Sequence, residues 1–298
     1  MTTAAAARAK GPIVWGDMDQ QALDDAYDQA KWAANQVYIT DRRAAFSAEA
    51  LKHIAPPERH AYGPTEIEKL DIYKCGKPNA PIAIFLHGGA WRRGKASDFA
   101  YQAEMFMNAG AHHVVLDFAS VDELKGDLLA MVDQVRRACA WVWKNAASLG
   151  GDQRRIYLTG HSSGAHIGGC VVTMDASRYG VPPDFLKGAL LASGMYDLAP
   201  VRLSKRSEYV KFTDAMVDEL SAIHHIDRLA CPLTLAVGTA ESPEFIRQSH
   251  EFVAAVGEAD KPAGLIVAKN YNHFEIGETL ANPYGVLGRA ALKLMGLS

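Results

Sequence analysis

Six short apolar runs, each separated from the next by a helix-compatible stretch, restrict this chain more than any other feature of it. They read "PIAIFL" (81–86), "AHHVVLDF" (111–118), "RIYLTG" (155–160), "LKGALLAS" (186–193), "PLTLAVG" (232–238) and "AGLIVA" (263–268). A strand that is apolar without alternation is covered on both faces, and such strands belong to parallel sheets. Helical patterns are expected at about 97–109, 122–150, 164–175, 242–256 and 283–296. Strand followed by helix, repeated, gives an α/β fold: a mostly parallel central sheet with helices on both faces. "IEKLDIY" (67–73) alternates like a half-exposed strand.

No linker interrupts the pattern, so the 298 residues are expected to form one domain. Residues 1–65 are an N-terminal extension or lid, in which 17–37 reads as one amphipathic helix and 38–65 as irregular. Residues 197–229 read as an inserted cap. The opening "MTTAAAARAKGP" has no apolar stretch behind Arg8 and Lys10, so it reads as a mobile tail and not as a secretory signal.

A net charge of −3 leaves no cationic excess to neutralise phosphates, which argues against a nucleic-acid partner. No apolar run approaches the roughly 18 residues of a membrane span. Cys75, Cys139, Cys170 and Cys231 are scattered without a CxxC pair, so neither a zinc site nor a disulfide framework is expected. Reduced thiols point to the cytoplasm. The expected partner is a small-molecule substrate, no metal or cofactor is implied, and a homodimer is compatible with the chain.

Chemistry concentrates where the apolar runs end. "GHSSG" (160–164) sits between a strand and a helix, as a nucleophile elbow requires. The sharp turn forces Ser162 into an unfavourable backbone conformation, and the close strand–helix approach leaves no room for side chains at 160 and 164. The hydroxyl then stands at a helix N-terminus, where developing negative charge is favoured. The bland alternative is a flexible structural turn.

"FLHGGAW" (85–91) ends another buried strand. Its adjacent glycines can turn backbone N–H groups toward a small concave space. Gly89 and Ala90 are the expected oxyanion donors, with Gly88 shaping the turn and the Ser163 N–H joining them. His87 reads as a loop-stabilising histidine. Trp91 could line an aromatic pocket, as could Trp15, Tyr27 and Trp32, for which lid or core packing serves equally. Trp141 and Trp143, within the long helix, read as packing residues.

A serine needs a base, and the base needs a carboxylate, in the chain order Ser, acid, His. Five histidines follow Ser162: His166, His224, His225, His250 and His273. Of these, His273 alone falls in a loop at the C-terminal end of a strand, so it is the expected base. "AVGTAESPEF" offers Glu241 and Glu244; Glu241 lies nearer the strand end, whereas Glu244 suits the start of the next helix.

These segments resemble the α/β-hydrolases, and within them the kynurenine formamidase (arylformamidase) group and its small carboxylesterase relatives. The likeness rests on "HGGAW", "GHSSGAH", "ESPEFIRQSHEF" and "NHFEI", and loosely on "LDDAYDQAKW". It implies an HGGxW oxyanion loop and an acid at Glu241, where animal members often carry aspartate. It also implies a serine hydrolase of small-acyl aryl amides or esters, with short-chain carboxylesterase activity as the alternative. A hydrolase-fold protein that binds a small molecule without turning it over is the rival of another class; a missing triad member would mark it, and none is missing.

Overall fold

Residues 11–297 are described by a computed structural model, so the tail expected at 1–12 falls outside it up to residue 10. A hairpin of β1 (Ile13–Trp15) and β2 (Met18–Asp19) leads into α1 (Gln20–Ala26), α2 (Gln36–Ala50) and β3 (Glu58–Ala61). Then follow β4 (Lys69–Tyr73), β5 (Ala80–Leu86), α3 (Ala103–Ala109), β6 (His112–Leu116), α4 (Leu128–Asn145), β7 (Gly151–His161) and α5 (Ser163–Val172). The C-terminal half adds β8 (Ala189–Ala192), α6 (Ala199–Arg202), α7 (Asp214–Leu220) and β9 (Leu233–Gly238). It closes with α8 (Pro243–Glu258), β10 (Ala263–Ala268), α9 (His273–Glu278) and α10 (Val286–Leu294).

Among the described residues the central sheet has eight strands in the order β10-β9-β8-β7-β5-β6-β4-β3. From β10 through β6 the neighbours are parallel, while β4 runs antiparallel to β6 and β3 antiparallel to β4. Both faces of β5 are covered, and its side chains divide by parity. Ile82, Ile84 and Leu86 join the core beneath α4 and α5, and Ala83 and Phe85 join the core beneath α3 and α10. That two-sided burial is why the run shows no polar alternation.

Four expectations need correction. Residues 17–37 do not form one helix: Asp19 caps α1 through the Ala22 N–H, and a 3₁₀ turn over Gln29–Trp32 intervenes before α2. The break is fixed from outside, because the Ser242 hydroxyl donates to the Ala26 carbonyl and accepts from the Gln29 amide. Residues 38–65 are not irregular either, since α2 runs to Ala50, well before Pro56. Val37, Tyr38 and Phe46 of α2 are exposed, so it has no clean apolar stripe to reveal it. In addition, β4 is buried on both faces, with Asp71 made tolerable there by Arg59 of β3 at 2.7 Å. Finally, the helix expected from 122 begins at Leu128, where Asp127 supplies the cap.

Segment 197–229 lies between β8 and β9 and contributes α6, α7 and 3₁₀ turns. It is tied to the N-terminal segment by Lys205 to Asp28 and by Arg206 to the Tyr27 carbonyl.

Burial of histidines sets an acid limit on this fold. Burial alone pushes the His113 imidazole down to about 3, and the same cause brings His166 to about 3. Burial first, then the nearby His273, holds His161 well below the usual histidine range. Unfolded histidines titrate near 6.5, so the unfolded chain binds more protons below that pH. The contribution is complete above about pH 6.5 and is lost as pH falls toward 3. At pH 5 His113 and His166 each withdraw about 2 kcal/mol, against a total stability on the order of 5–15 kcal/mol. The expected result is a steep fall in Tm between pH 7 and pH 5. His113 stacks on Phe106 at 4.6 Å and neither of its ring nitrogens has a partner among the described residues, so His113→Phe should flatten that fall. Parallel Tm-against-pH lines for wild type and variant would refute the assignment.

Candidate active site

The parallel strands deliver four polar side chains to one edge of the sheet. Ser162 follows β7, Ser193 follows β8, Glu241 follows β9 and His273 follows β10, all at C-terminal strand ends. Such ends are where open α/β sheets place their sites.

At the elbow, Ser162 has φ 59° and ψ −127°, a strained conformation for a residue with a side chain. The flanking glycines are steric requirements. A Cβ on Gly164 would lie 2.1 Å from the Leu86 carbonyl oxygen, and one on Gly160 would lie 2.8 Å from the Gly164 carbonyl oxygen. Thus β5, β7 and α5 close on one another only with hydrogen at both positions. The Ser162 N–H donates to the Ala192 carbonyl, which holds the turn to β8.

Ser162 Oγ is 2.8 Å from His273 Nε2, and His273 Nδ1 is 2.7 Å from Glu241 Oε2. Glu241 and His273 are each 3% exposed, so water competes little with either contact. The second carboxylate oxygen, Oε1, accepts from the Ser193 hydroxyl at 2.6 Å and from the Gly238 N–H at 2.7 Å. His273 opens α9, one residue after Asn272, whose side chain accepts from the Phe274 and Glu275 N–H groups. Asn35 braces that cap, donating to Glu275 at 2.7 Å and accepting from Asn272 at 2.8 Å. His161 Nε2 lies 2.7 Å from the His273 carbonyl oxygen; neutral and buried, it donates there and fixes the backbone of the base.

The loop after β5 passes directly over the nucleophile, since a Cβ on Gly88 would meet Ser162 Cβ at 2.9 Å. Gly89, Ala90 and Trp91 have φ of 127°, 56° and 64°, and the Arg92 and Arg93 N–H groups close the turn on the Gly89 carbonyl. The Trp91 N–H donates to Ser163 Oγ at 3.2 Å, which ties the loop to α5. The N–H groups of Gly89, Ala90 and Ser163 donate to no acceptor among the described residues. Three free donors beside a strained serine form an anion-stabilising arrangement.

Other candidates land elsewhere. The Trp91 ring is buried: its indole N–H donates to His166 Nδ1 at 3.1 Å and Arg206 lies over its face, so it anchors the loop from beneath. His87 stacks on Phe118 at 4.4 Å, in keeping with a loop-stabilising part. Glu244 accepts from Tyr27 and from Arg247 and does not reach His273. His224 and His225 pair with Asp218, and His250 is exposed on α8. Tyr27 is buried, Trp15 half-buried and Trp32 exposed, while Trp141 and Trp143 pack against the core. Ser193, His161 and the Asn35–Asn272 pair escape sequence reasoning, because no local motif marks them.

Fold and site together define an α/β-hydrolase. The chain is 31% identical over 297 residues to a kynurenine formamidase of Danio rerio, covering 95% of this chain and 99% of that one. It therefore belongs to the kynurenine formamidase family. The family model described as BD-FAE matches residues 70–179. A carboxylesterase of Mycobacterium tuberculosis is 28% identical over 171 residues, covering 55% of this chain and 53% of that one. A thermophilic esterase of Thermogutta terrifontis solved with propionate shares the fold, with a TM-score of 0.67 at 23% identity over 82% of this chain and 96% of that one.

Proposed function

We propose that the enzyme hydrolyses small-acyl aryl amides, formamides first, through an acyl-enzyme on Ser162. The observation that carries this reading is the unbroken line Ser162–His273–Glu241, with both contacts under 3 Å, beside three unpartnered N–H groups. Ser162 Oγ attacks the carbonyl carbon as His273 Nε2 takes its proton. The carbonyl π electrons move to oxygen, and that oxyanion is received by the N–H groups of Gly89, Ala90 and Ser163. His273 then hands the proton to the leaving nitrogen, and the C–N bond breaks. Water attacks the acyl-enzyme with its proton going to the same Nε2, and Ser162 leaves re-protonated. Glu241 stays ionised throughout and holds the imidazolium in place.

Narrow acyl specificity is part of this reading. The loop over Ser162 is held from below by buried Trp91, and the N-terminal segment is bonded to both catalytic loops through Gln29–Ser242 and Asn35–Asn272. A mouth braced on two sides does not widen for a long chain without strain. Acyl groups of one to four carbons on an aromatic amine or alcohol are expected to react best, and chains of about ten carbons to lose at least tenfold in kcat/KM. A panel of aryl formamides against aryl acetates and decanoates tests this. Formamide turnover above acetate turnover supports the formamidase reading, the reverse ranking supports the carboxylesterase, and efficient decanoate cleavage refutes both. Among the described residues no helix is long and apolar enough to cross a membrane, and the four cysteines are free, which supports a cytoplasmic setting.

A further inference from the structure

We infer that Ser193 is a positioning residue, a fourth member of the Ser162–His273–Glu241 line that acts through Glu241; this rests on the hydrolase reading above. Its hydroxyl donates to Glu241 Oε1 at 2.6 Å. With the Gly238 N–H on the same oxygen, it leaves Oε2 to His273 alone. A carboxylate can swing about its terminal torsion, which is broad and two-fold. Two donors on one oxygen remove that freedom and fix which oxygen faces the imidazole.

The backbone at Ser193 supports a selected side chain. Ser193 is fully buried, with φ 59°, a region where glycine is at ease and other residues are strained. Its N–H donates to the Ala236 carbonyl, so the backbone is held to β9 whatever the side chain. A position concerned with packing and chain direction alone would favour glycine. A serine that accepts the strain and spends its hydroxyl on the buried carboxylate is placed there for that contact.

Around the pair stand His161, whose ring centroid is 4.9 Å from that of His273, and Tyr196, which feels the Glu241 charge. Phe245 and Phe274 supply the apolar walls of the imidazole. Among these near neighbours His161 is held neutral by burial and Tyr196 is held as the phenol, so neither answers to the loss of the Ser193 hydroxyl with a charge of its own.

The variant Ser193→Gly separates the two possibilities, because it removes the hydroxyl and relieves the backbone at the same time. The expected result is a kcat lower by on the order of ten- to a hundredfold with KM nearly unchanged, and a Tm equal to or above that of the wild type. The acid limb of the pH–kcat profile should also move to higher pH. With one donor gone, the carboxylate holds more charge toward His273 and takes up a proton more readily itself, and both effects favour inactive protonated forms. Ser193→Ala, which keeps the strain, should show the same kinetic loss with no gain in Tm. If kcat in both variants stays within twofold and the profile does not move, Ser193 only fills space and the inference is overturned. Ser162→Ala run beside them keeps the two readings apart: activity surviving there overturns the triad itself, whatever Ser193 does.

Discussion

Replacing Ser162 with alanine is expected to lower kcat by on the order of 10⁶-fold and to abolish labelling by a fluorophosphonate. The size follows from the absence of a substitute nucleophile at the elbow. The adjacent Ser163 hydroxyl is buried and accepts the Trp91 N–H, so it ties down the oxyanion loop and makes no contact with His273. Alanine keeps the same left-handed backbone at 162 and loses only the bond to His273, so Tm should move by no more than a few degrees. Residual activity on the order of 10³-fold over water is expected from the Gly89, Ala90 and Ser163 donors alone. His273→Ala belongs to the same class, with a loss on the order of 10³-fold or more, and His250→Ala on the exposed side of α8 should be silent. Active-site titration with the probe followed by peptide mapping decides it. A label on Ser163 would reassign the elbow.

Those residues were readable because each follows a short apolar strand: β7 and β9 end in buried residues, and β10, partly exposed at the sheet edge, still reads as an unbroken apolar run. A parallel strand in such a sheet must be apolar throughout, so its end is marked by the first polar or glycine residues after the run, and Ser162, Glu241 and His273 stand within five residues of such ends. The loop geometry at 88–91 was readable for a related reason, since Gly88 and Gly89 sit where side chains would collide with Ser162 and with the Arg93 backbone. What stayed hidden depends on contacts between distant segments. Asn35 and Asn272 are 237 residues apart, and nothing local in "QVYITDRRAAFSAEA" shows that α2 begins beside the cap of α9. The interruption of the N-terminal helix is set by Ser242, more than 200 residues downstream. Ser193 gave no signal because a serine at the end of "LLAS" has many ordinary uses, and its φ and its partner are tertiary facts. Trp91 was readable as a residue beside a cavity, which it lines with His87 and Phe118, but the bond from its indole N–H to His166 is a tertiary fact.

The same long-range contacts decide what happens when the acid is made neutral. Glu241→Gln is expected to cost on the order of 10⁴-fold in kcat, about what a triad loses when its base is held in the wrong tautomer. The anchors on Oε1 are both donors, the Ser193 hydroxyl and the Gly238 N–H, so they retain the amide oxygen of glutamine there. The amide NH₂ must then face His273 Nδ1, which has to accept where it formerly donated. That puts the imidazole proton on Nε2, pointing at Ser162 Oγ, and a nitrogen that already carries a proton cannot take the serine's. The geometry survives while the base is disabled, so KM and Tm should change little. Glu244→Gln is the control: that carboxylate is buried too, but it serves the Tyr27 hydroxyl and Arg247. Its loss should lower Tm while kcat stays within about threefold, because no bond to His273 is broken. Steady-state kinetics and thermal melts on the two variants separate them, and a larger kcat loss in Glu244→Gln would move the acid to α8.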